Sequence, residues 1–158
     1  MPETILIRPA LSAEAEVLLD VMRRAFTEYR GVLQPESSVF VETPALLAGK
    51  LAGGGGFLAL DRTTPVGCII AEDKEGRGYL GRLAVDPSLR RQGLARRLML
   101  AGEGFARARG LKIAEVQVRI ALGGNIALFQ ALGYRETARR AHPGFTQPTY
   151  LVMEKSLE

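Results

Sequence analysis

Leu83-Ala84-Val85-Asp86-Pro87-Ser88-Leu89-Arg90-Arg91-Gln92-Gly93-Leu94-Ala95-Arg96 is the stretch on which the fold turns. An apolar strand runs out at Asp86-Pro87, a short basic turn follows, and Gly93 and Ala95 stand where a helix begins. Small residues there let a ligand come close to the backbone. The unpaired amides of a helix start, its dipole and the neighbouring arginines together suit a pyrophosphate. An ordinary strand-to-helix turn with solvated arginines uses the same residue types, so both readings stand at this point. Arg82, Arg90, Arg91, Arg96 and Arg97 fall within sixteen residues, with Asp86 the one acid among them. Such a basic patch fits a phosphate-bearing partner or a solvated helix face.

Upstream of this stretch, Ile5 to Arg8 suits a short strand closed by Pro9. Ser12 is placed to cap a helix over Ala13 to Tyr29, where Val17, Leu18, Val21, Met22, Ala25 and Phe26 recur at helical spacing. Gly31 to Glu42 shows no clear period. Thr43 then offers a cap for a helix over Pro44 to Leu51, and Gly53 to Gly56 end it. Phe57 to Leu60, Val66 to Ala71 and Tyr79 to Val85 are apolar runs joined by short polar links, which predicts an antiparallel meander. Downstream, Gln92 to Arg109 is helical in pattern and stops at Gly110. Lys112 to Ile120 alternates, with Glu115, Gln117 and Arg119 on its polar face. Asn125 to Leu132 reads as a short helix, and Tyr134 to Arg140 and Thr149 to Glu154 as closing strands.

The order predicts an α/β fold, specifically an α+β mixed and mostly antiparallel sheet of about seven strands, with about four helices on both faces. The strand-helix-strand unit around the basic turn is a right-handed crossover, so strands four and five are parallel neighbours. The 158 residues make one domain, 1–158, without repeat or linker. A content of 47% hydrophobic and 24% charged residues can bury a core. No run approaches the ~18–20 apolar residues of a membrane span, and the Met-Pro-Glu-Thr start has neither a basic head nor an apolar signal segment. A cytoplasmic protein with no membrane partner is expected. One cysteine, Cys68, and one histidine, His142, leave no disulfide and no zinc cluster, so no metal is expected. With 6% aromatics and no Trp, single-stranded nucleic acid is not an expected partner.

Arg90-Arg91-Gln92-Gly93-Leu94-Ala95 resembles the Gln/Arg-x-x-Gly-x-Gly/Ala motif of the GNAT family of N-acetyltransferases. Asn125-Ile-Ala-Leu-Phe-Gln-Ala-Leu-Gly-Tyr134 is similar to that family's Asn...Ala-Leu-Tyr-x-x-Leu-Gly-Phe segment. The two stand in the family's order, and the element order agrees along nearly the whole chain. The resemblance implies the acyl-CoA N-acyltransferase fold, with strands four and five splayed to admit a cofactor, often helped by a bulge in strand four. It implies acetyl-CoA as donor, used in direct transfer to an amine. The pyrophosphate would fall to Arg90, Arg91, Gln92, Gly93, Leu94, Ala95 and Arg96, and the pantetheine to the backbone of Leu83, Ala84 and Val85. Asn125 and Phe129 would touch the cofactor arm, Asn125 being equally suited to cap its helix. The acceptor is expected to be the primary amine of a small molecule. Protein acetylation, a CoA-binding sensor without activity, and a second copy of the chain as partner remain as alternatives and additions.

Transfer needs a neutral amine, and an alkyl ammonium with a pKa of ~10.4 needs a base, whereas a thiol near ~8.5 leaves with little help. The tyrosine that commonly protonates the thiolate in this family is matched here by Phe129. The Glu that serves as base in relatives acetylating protein N-termini is matched by Gln117. Substitutes come from elsewhere: His142, whose ordinary pKa of ~6.5 suits a base, the hydroxyl of Tyr150, and Glu72 or Glu115 acting through water. Tyr29 and Arg30, between the first two helices, are expected to line the acceptor site with Glu115 and Gln117, Arg30 being suited to a carboxylate. Cys68 lacks an adjacent base and reads as buried filler.

Overall fold

Runs of alternating burial become strands and stripes of three-and-four spacing become helices, in the order the sequence predicts. The computed structural model describes residues 4–158; Met1–Glu3 lie outside the described residues. Strands β1 (Ile5–Pro9), β2 (Gly55–Asp61), β3 (Thr64–Lys74), β4 (Arg77–Val85), β5 (Ile113–Arg119), β6 (Arg135–Arg140) and β7 (Tyr150–Ser156) form one sheet in the order β1-β2-β3-β4-β5-β7-β6. Every neighbouring pair is antiparallel except β4 and β5. The helices are α1 (Ala15–Phe26), α2 (Pro44–Gly53), α3 (Leu94–Ala108) and α4 (Gly123–Ala131).

Strand β3 is buried on both sides over Val66 to Ala71, and its alternation divides the core. Cys68 and Ile70 face a cluster with Leu18, Met22 and Leu47 of α1 and α2. Ile69 and Ala71 face the opposite cluster, with Leu98, Met99 and Ala106 of α3 and Phe129 of α4. The helices therefore cover both faces of the sheet. The carboxylate of Glu103, buried in α3, accepts hydrogen bonds from the Tyr134 hydroxyl at 2.8 Å and from Lys155 Nζ at 3.0 Å, which ties α3 to β7. Among the described residues, no helix is long and apolar enough to cross a membrane.

Three local expectations are corrected. Ser12 does not cap α1. It opens a 3-10 turn, Ser12–Glu14, in which the Glu14 carboxylate accepts the Leu11 amide at 2.9 Å and pairs with Arg8. Those hydrogen bonds, Arg8 foremost, hold the Glu14 carboxyl down at about 2. The glycine run does not simply end α2, because Gly55 and Gly56 begin β2. Asn125 is not a cap either, since α4 starts two residues earlier with Leu122 at its N-cap. Thr43 does cap α2, its hydroxyl oxygen accepting the Leu46 amide at 3.2 Å with Pro44 following.

The parallel pair β4–β5 is held shut at one end only, by Gly78 opposite Ala114 and Tyr79 opposite Glu115. A Cβ on Gly78 would lie 2.6 Å from the Cβ of Ala106, so the missing side chain is what lets α3 press on the sheet at this closure. Gly78→Ala should therefore destabilise the protein by about 1–3 kcal/mol through overpacking. Equal urea midpoints for variant and parent would show that α3 does not bear on the pair.

Candidate active site

Beyond Tyr79 and Glu115 the two parallel strands part. Two steps on β3, Cys68 to Ile70, span three on β4, from Ala84 to Gly81, so β4 carries one extra residue. This is the bulge the family resemblance implies, and Arg82 within it has φ +55, which for a non-glycine residue marks a local constraint. Two partners hold it. The Cys68 thiol points at the Arg82 carbonyl at 3.6 Å. The Arg82 side chain donates to Glu42 Oε2 at 2.9 Å and to Ser38 Oγ at 2.7 Å. Burial alone would raise the Glu42 carboxyl, but hydrogen bonds from Lys50 and Arg82 hold it below the usual carboxylate range. The bulge is thereby fastened to the segment between α1 and α2. Burial pushes the Cys68 thiol up to about 12, which leaves it inert as a nucleophile.

The parting opens a cavity of about 430 Å³. Its walls are β4 from Tyr79 to Val85, β5 from Val116 to Arg119, Ala95 in the first turn of α3, and Asn125 and Phe129 of α4. Phe26, Tyr29, Ser37 and Ser38 close it from the α1 side, and His142 of the β6–β7 link and Tyr150 at the start of β7 from the other. Of the expected residues, Tyr29, Leu83, Ala84, Val85, Arg90, Ala95, Gln117, Asn125, Phe129, His142 and Tyr150 thus come together around one space.

Arg91, Gln92 and Gly93 lie exposed in the turn before α3 and Arg96 exposed in its first turn, and Leu94 turns its side chain into the core. Gly93 is the N-cap of α3 with φ +82, and no side chain caps the helix. The first intrahelical bond runs from the Arg97 amide to the Gly93 carbonyl at 3.1 Å, which leaves the amides of residues 94–96 without helical acceptors. A Cβ at Gly93 would meet nothing within 4 Å, so open space lies where an anion would approach those amides. Free amides, open space and the exposed guanidiniums of Arg91 and Arg96 are a donor set that fits a pyrophosphate. Arg90 is less free, being paired with Glu28 and donating to the Ala25 carbonyl at 2.9 Å.

Three expected residues stand apart. Arg30 places its guanidinium 4.0 Å over the Phe40 ring and does not line the cavity. Glu115 accepts from Gln117 Nε2 at 3.1 Å and lies 3.9 Å from Arg77. Glu72 faces an adjoining hollow of about 160 Å³, beside Lys50 and Lys74. Among the described residues, no group of three or more His, Cys, Asp or Glu side chains is placed to hold a metal ion.

His142 is held more firmly than a surface residue would be. His142-Pro143-Gly144-Phe145 forms a turn, with the Phe145 amide on the His142 carbonyl at 3.0 Å and Gly144 at φ +86. The His142 amide donates to Thr149 Oγ1 at 3.0 Å, and its Nδ1 is hydrogen-bonded to the same oxygen. Its ring lies 4.9 Å from that of Tyr150, centroid to centroid. Burial, and then the charge of Arg119, lower its pKa below the ordinary histidine value, so it is neutral and able to accept a proton at pH 7. Burial also raises Tyr79, whose hydroxyl stays protonated beside the bulge. The sequence reading missed Thr149, Glu42 and Arg119. For Arg119 a signal was present, because it shares the polar face of β5 with Gln117.

The profile of the Acetyltransferase (GNAT) family matches residues 7–134. Among solved structures, the chain is similar to the PaiA N-acetyltransferase from Thermoplasma acidophilum in complex with coenzyme A, at 18% identity and TM-score 0.81, with 96% of this chain and 98% of that one covered. It is also similar to the ribosomal-protein-S18-alanine N-acetyltransferase from Escherichia coli, at 20% identity and TM-score 0.77, covering 97% and 94%. Ard1 from Thermoplasma volcanium aligns at 19% identity and TM-score 0.78, covering 97% of each chain. At these identities the likeness is one of fold. No curated protein matches the chain's sequence.

Proposed function

Because the chain belongs to the GNAT family of acetyltransferases, we propose that it transfers the acetyl group of acetyl-CoA directly to the primary amine of a small molecule. The observation that carries this reading is the continuous cavity between the parted strands, which reaches from the first turn of α3 to His142 and Tyr150. The amides of residues 94–96, with Arg91 and Arg96, would hold the pyrophosphate, and the β4 backbone at Leu83, Ala84 and Val85 the pantetheine. Asn125 and Phe129 would flank it from α4. Acetyl-CoA, when bound, supplies a thioester already activated toward an amine.

The chain's own contribution is a proton acceptor and a confined space. His142 takes the ammonium proton at Nε2 when Nδ1–H donates to Thr149 Oγ1, because a hydroxyl oxygen has lone pairs enough to accept both that proton and the His142 amide. Gln117 lines the same cavity and orients the acceptor without titrating. Phe129 offers no hydroxyl, and a thiolate of ordinary pKa leaves without one. Tyr150 brings a hydroxyl to the cavity all the same. A small acceptor is favoured over a protein chain by the hydrogen bond from Arg119 to the Pro35 carbonyl, which joins β5 to the α1–α2 segment across the acceptor end. The test is acetyl transfer to a panel of small amines, set beside a peptide with an N-terminal alanine. Transfer to the peptide alone would move the function to protein acetylation.

Acetyl-CoA at a hundredfold excess over its Kd should stabilise the protein by ~2.7 kcal/mol, a Tm rise of roughly 5–10 °C for a chain of this size. Gly93→Asp should remove that rise, measured from the variant's own unliganded Tm. Any side chain is strained at φ +82, so that baseline should itself fall below the parent's even though the added atoms meet open space. Equal ligand shifts in both proteins would take the pyrophosphate away from this turn.

The kcat/KM profile should climb with pH on a limb centred below the ordinary histidine pKa, since His142 must lose its proton to act and its pKa is lowered. His142→Ala should lose that limb and ~100- to 10,000-fold in rate. Parental activity in the variant from pH 6 to 9 would return His142 to a packing role.

Phe129→Tyr should change kcat by far less than the ~100-fold that is the lower end for positioned acid-base catalysis. A gain of that size in single-turnover rate would mean that thiolate protonation limits the reaction.

A further inference from the structure

Three arginines line the cavity, and they are not equivalent. Arg82 is spent on Glu42, and Arg90 on Glu28. Arg119 has no carboxylate within 4.0 Å among the described residues, and the one hydrogen-bond partner of its guanidinium there is the Pro35 carbonyl. The nearby acid Glu36 acts on it through charge without pairing with it, both its oxygens sharing the Gly31 amide at 3.1 Å. A guanidinium has five donors in a planar fork matched to a carboxylate, so one bond to one carbonyl leaves most of that capacity facing the space. Burial lowers the Arg119 pKa, the charge of Glu36 offsets that only in part, and an anion arriving with the acceptor would offset more of it.

Register fixes where that anion would lie. Arg119 is opposite Tyr150 in the β5–β7 ladder, and the next amide, that of Ile120, donates to the Thr149 carbonyl at 3.0 Å. Thr149 is the residue that holds His142. Anchor and base are therefore set by the same two strand ends, and their charges are close enough for Arg119 to depress His142. We propose that Arg119 binds the carboxylate of the acceptor, so that the molecule acetylated is a small amino acid or an amino-acid-like zwitterion. This rests on the reading of the cavity as an amine-acceptor site. Arg30, the arginine the sequence singled out for a carboxylate, is occupied by Phe40 and outside the cavity. Its expected role passes to Arg119.

The test compares amino acids with their own carboxamides as acceptors, in the parent, Arg119→Gln and Arg119→Lys, with the acetyl-CoA thermal shift recorded for each. The expected result is a preference of about 10- to 100-fold in kcat/KM for the acids in the parent, the range of one charge-assisted interaction. Arg119→Gln should abolish it by raising KM for the acids alone, with the acetyl-CoA shift kept, and Arg119→Lys should restore part of it. Carboxamides accepted as well as acids by the parent, or a preference that survives in Arg119→Gln, would overturn the anchor. If no amine is acetylated, the transfer reading fails, and the anchor is then read by calorimetry on the CoA-saturated protein. N-acetyl amino acids binding at least tenfold tighter than their amides, with that difference lost in Arg119→Gln, would sustain it. Equal binding, or none, would overturn it.

Discussion

A sheet in which two adjacent parallel strands pair for only two residues has backbone donors and acceptors left over, and the rest of this structure is arranged around that deficit. Unpaired backbone inside a protein is costly, so strands that part need something to keep them apart and something to satisfy them. The extra residue in β4 does the first. The second is left to solvent or a ligand, and that suits the gap to binding. The crossover from β4 through α3 to β5 then puts the start of α3, where a left-handed glycine is the N-cap and no side chain caps the helix, at the open end of the same gap.

Buried acids keep the gap rigid. Glu42 is nearly inaccessible yet accepts from Lys50 at 2.8 Å and from Arg82 at 2.9 Å, so its charge is compensated on two sides. Removing either partner would leave a buried carboxylate under-solvated, a loss larger than the pair's net contribution to folding. The pairing therefore acts more as a register pin than as a source of stability: it fixes the bulge against the α1–α2 segment. Glu103 serves α3 in the same way through Tyr134 and Lys155.

The order of elements, the meander, the parallel pair and the basic turn were legible in the sequence because each rests on a local period or a short motif. What was not legible depended on distant partners. Gly55 reads as a helix stop, but a Cβ there would lie 2.4 Å from the Phe105 ring, so the glycine serves a close approach of α3 to β2. Ser12 has a capping side chain, yet Glu14, braced by Arg8 from β1, takes the Leu11 amide. Arg30 looked free because nothing in its neighbourhood along the chain shows Phe40 beneath it, and Arg119 looked like one more polar residue on an exposed strand face. His142 was found by elimination. The residue that makes it more than a surface side chain, Thr149, lies seven positions away across the β6–β7 link, where no local pattern announces it.

The contact between His142 and Thr149 also bears on how a histidine of lowered pKa serves as a base. A lowered pKa weakens the proton acceptor while keeping it deprotonated at neutral pH, so the benefit lies in availability and geometry more than in driving force. With Nδ1–H on Thr149 Oγ1, the same hydrogen bond persists when Nε2 gains a proton, and the ring does not reorient between its two states. Burial first, and the charge of Arg119 after it, work against the protonated state. On the proposed anchor, an acceptor bringing its own carboxylate to Arg119 would offset the second of these but not the first. The carboxylate would then ease the proton transfer it accompanies, and an amine without one would forgo that gain.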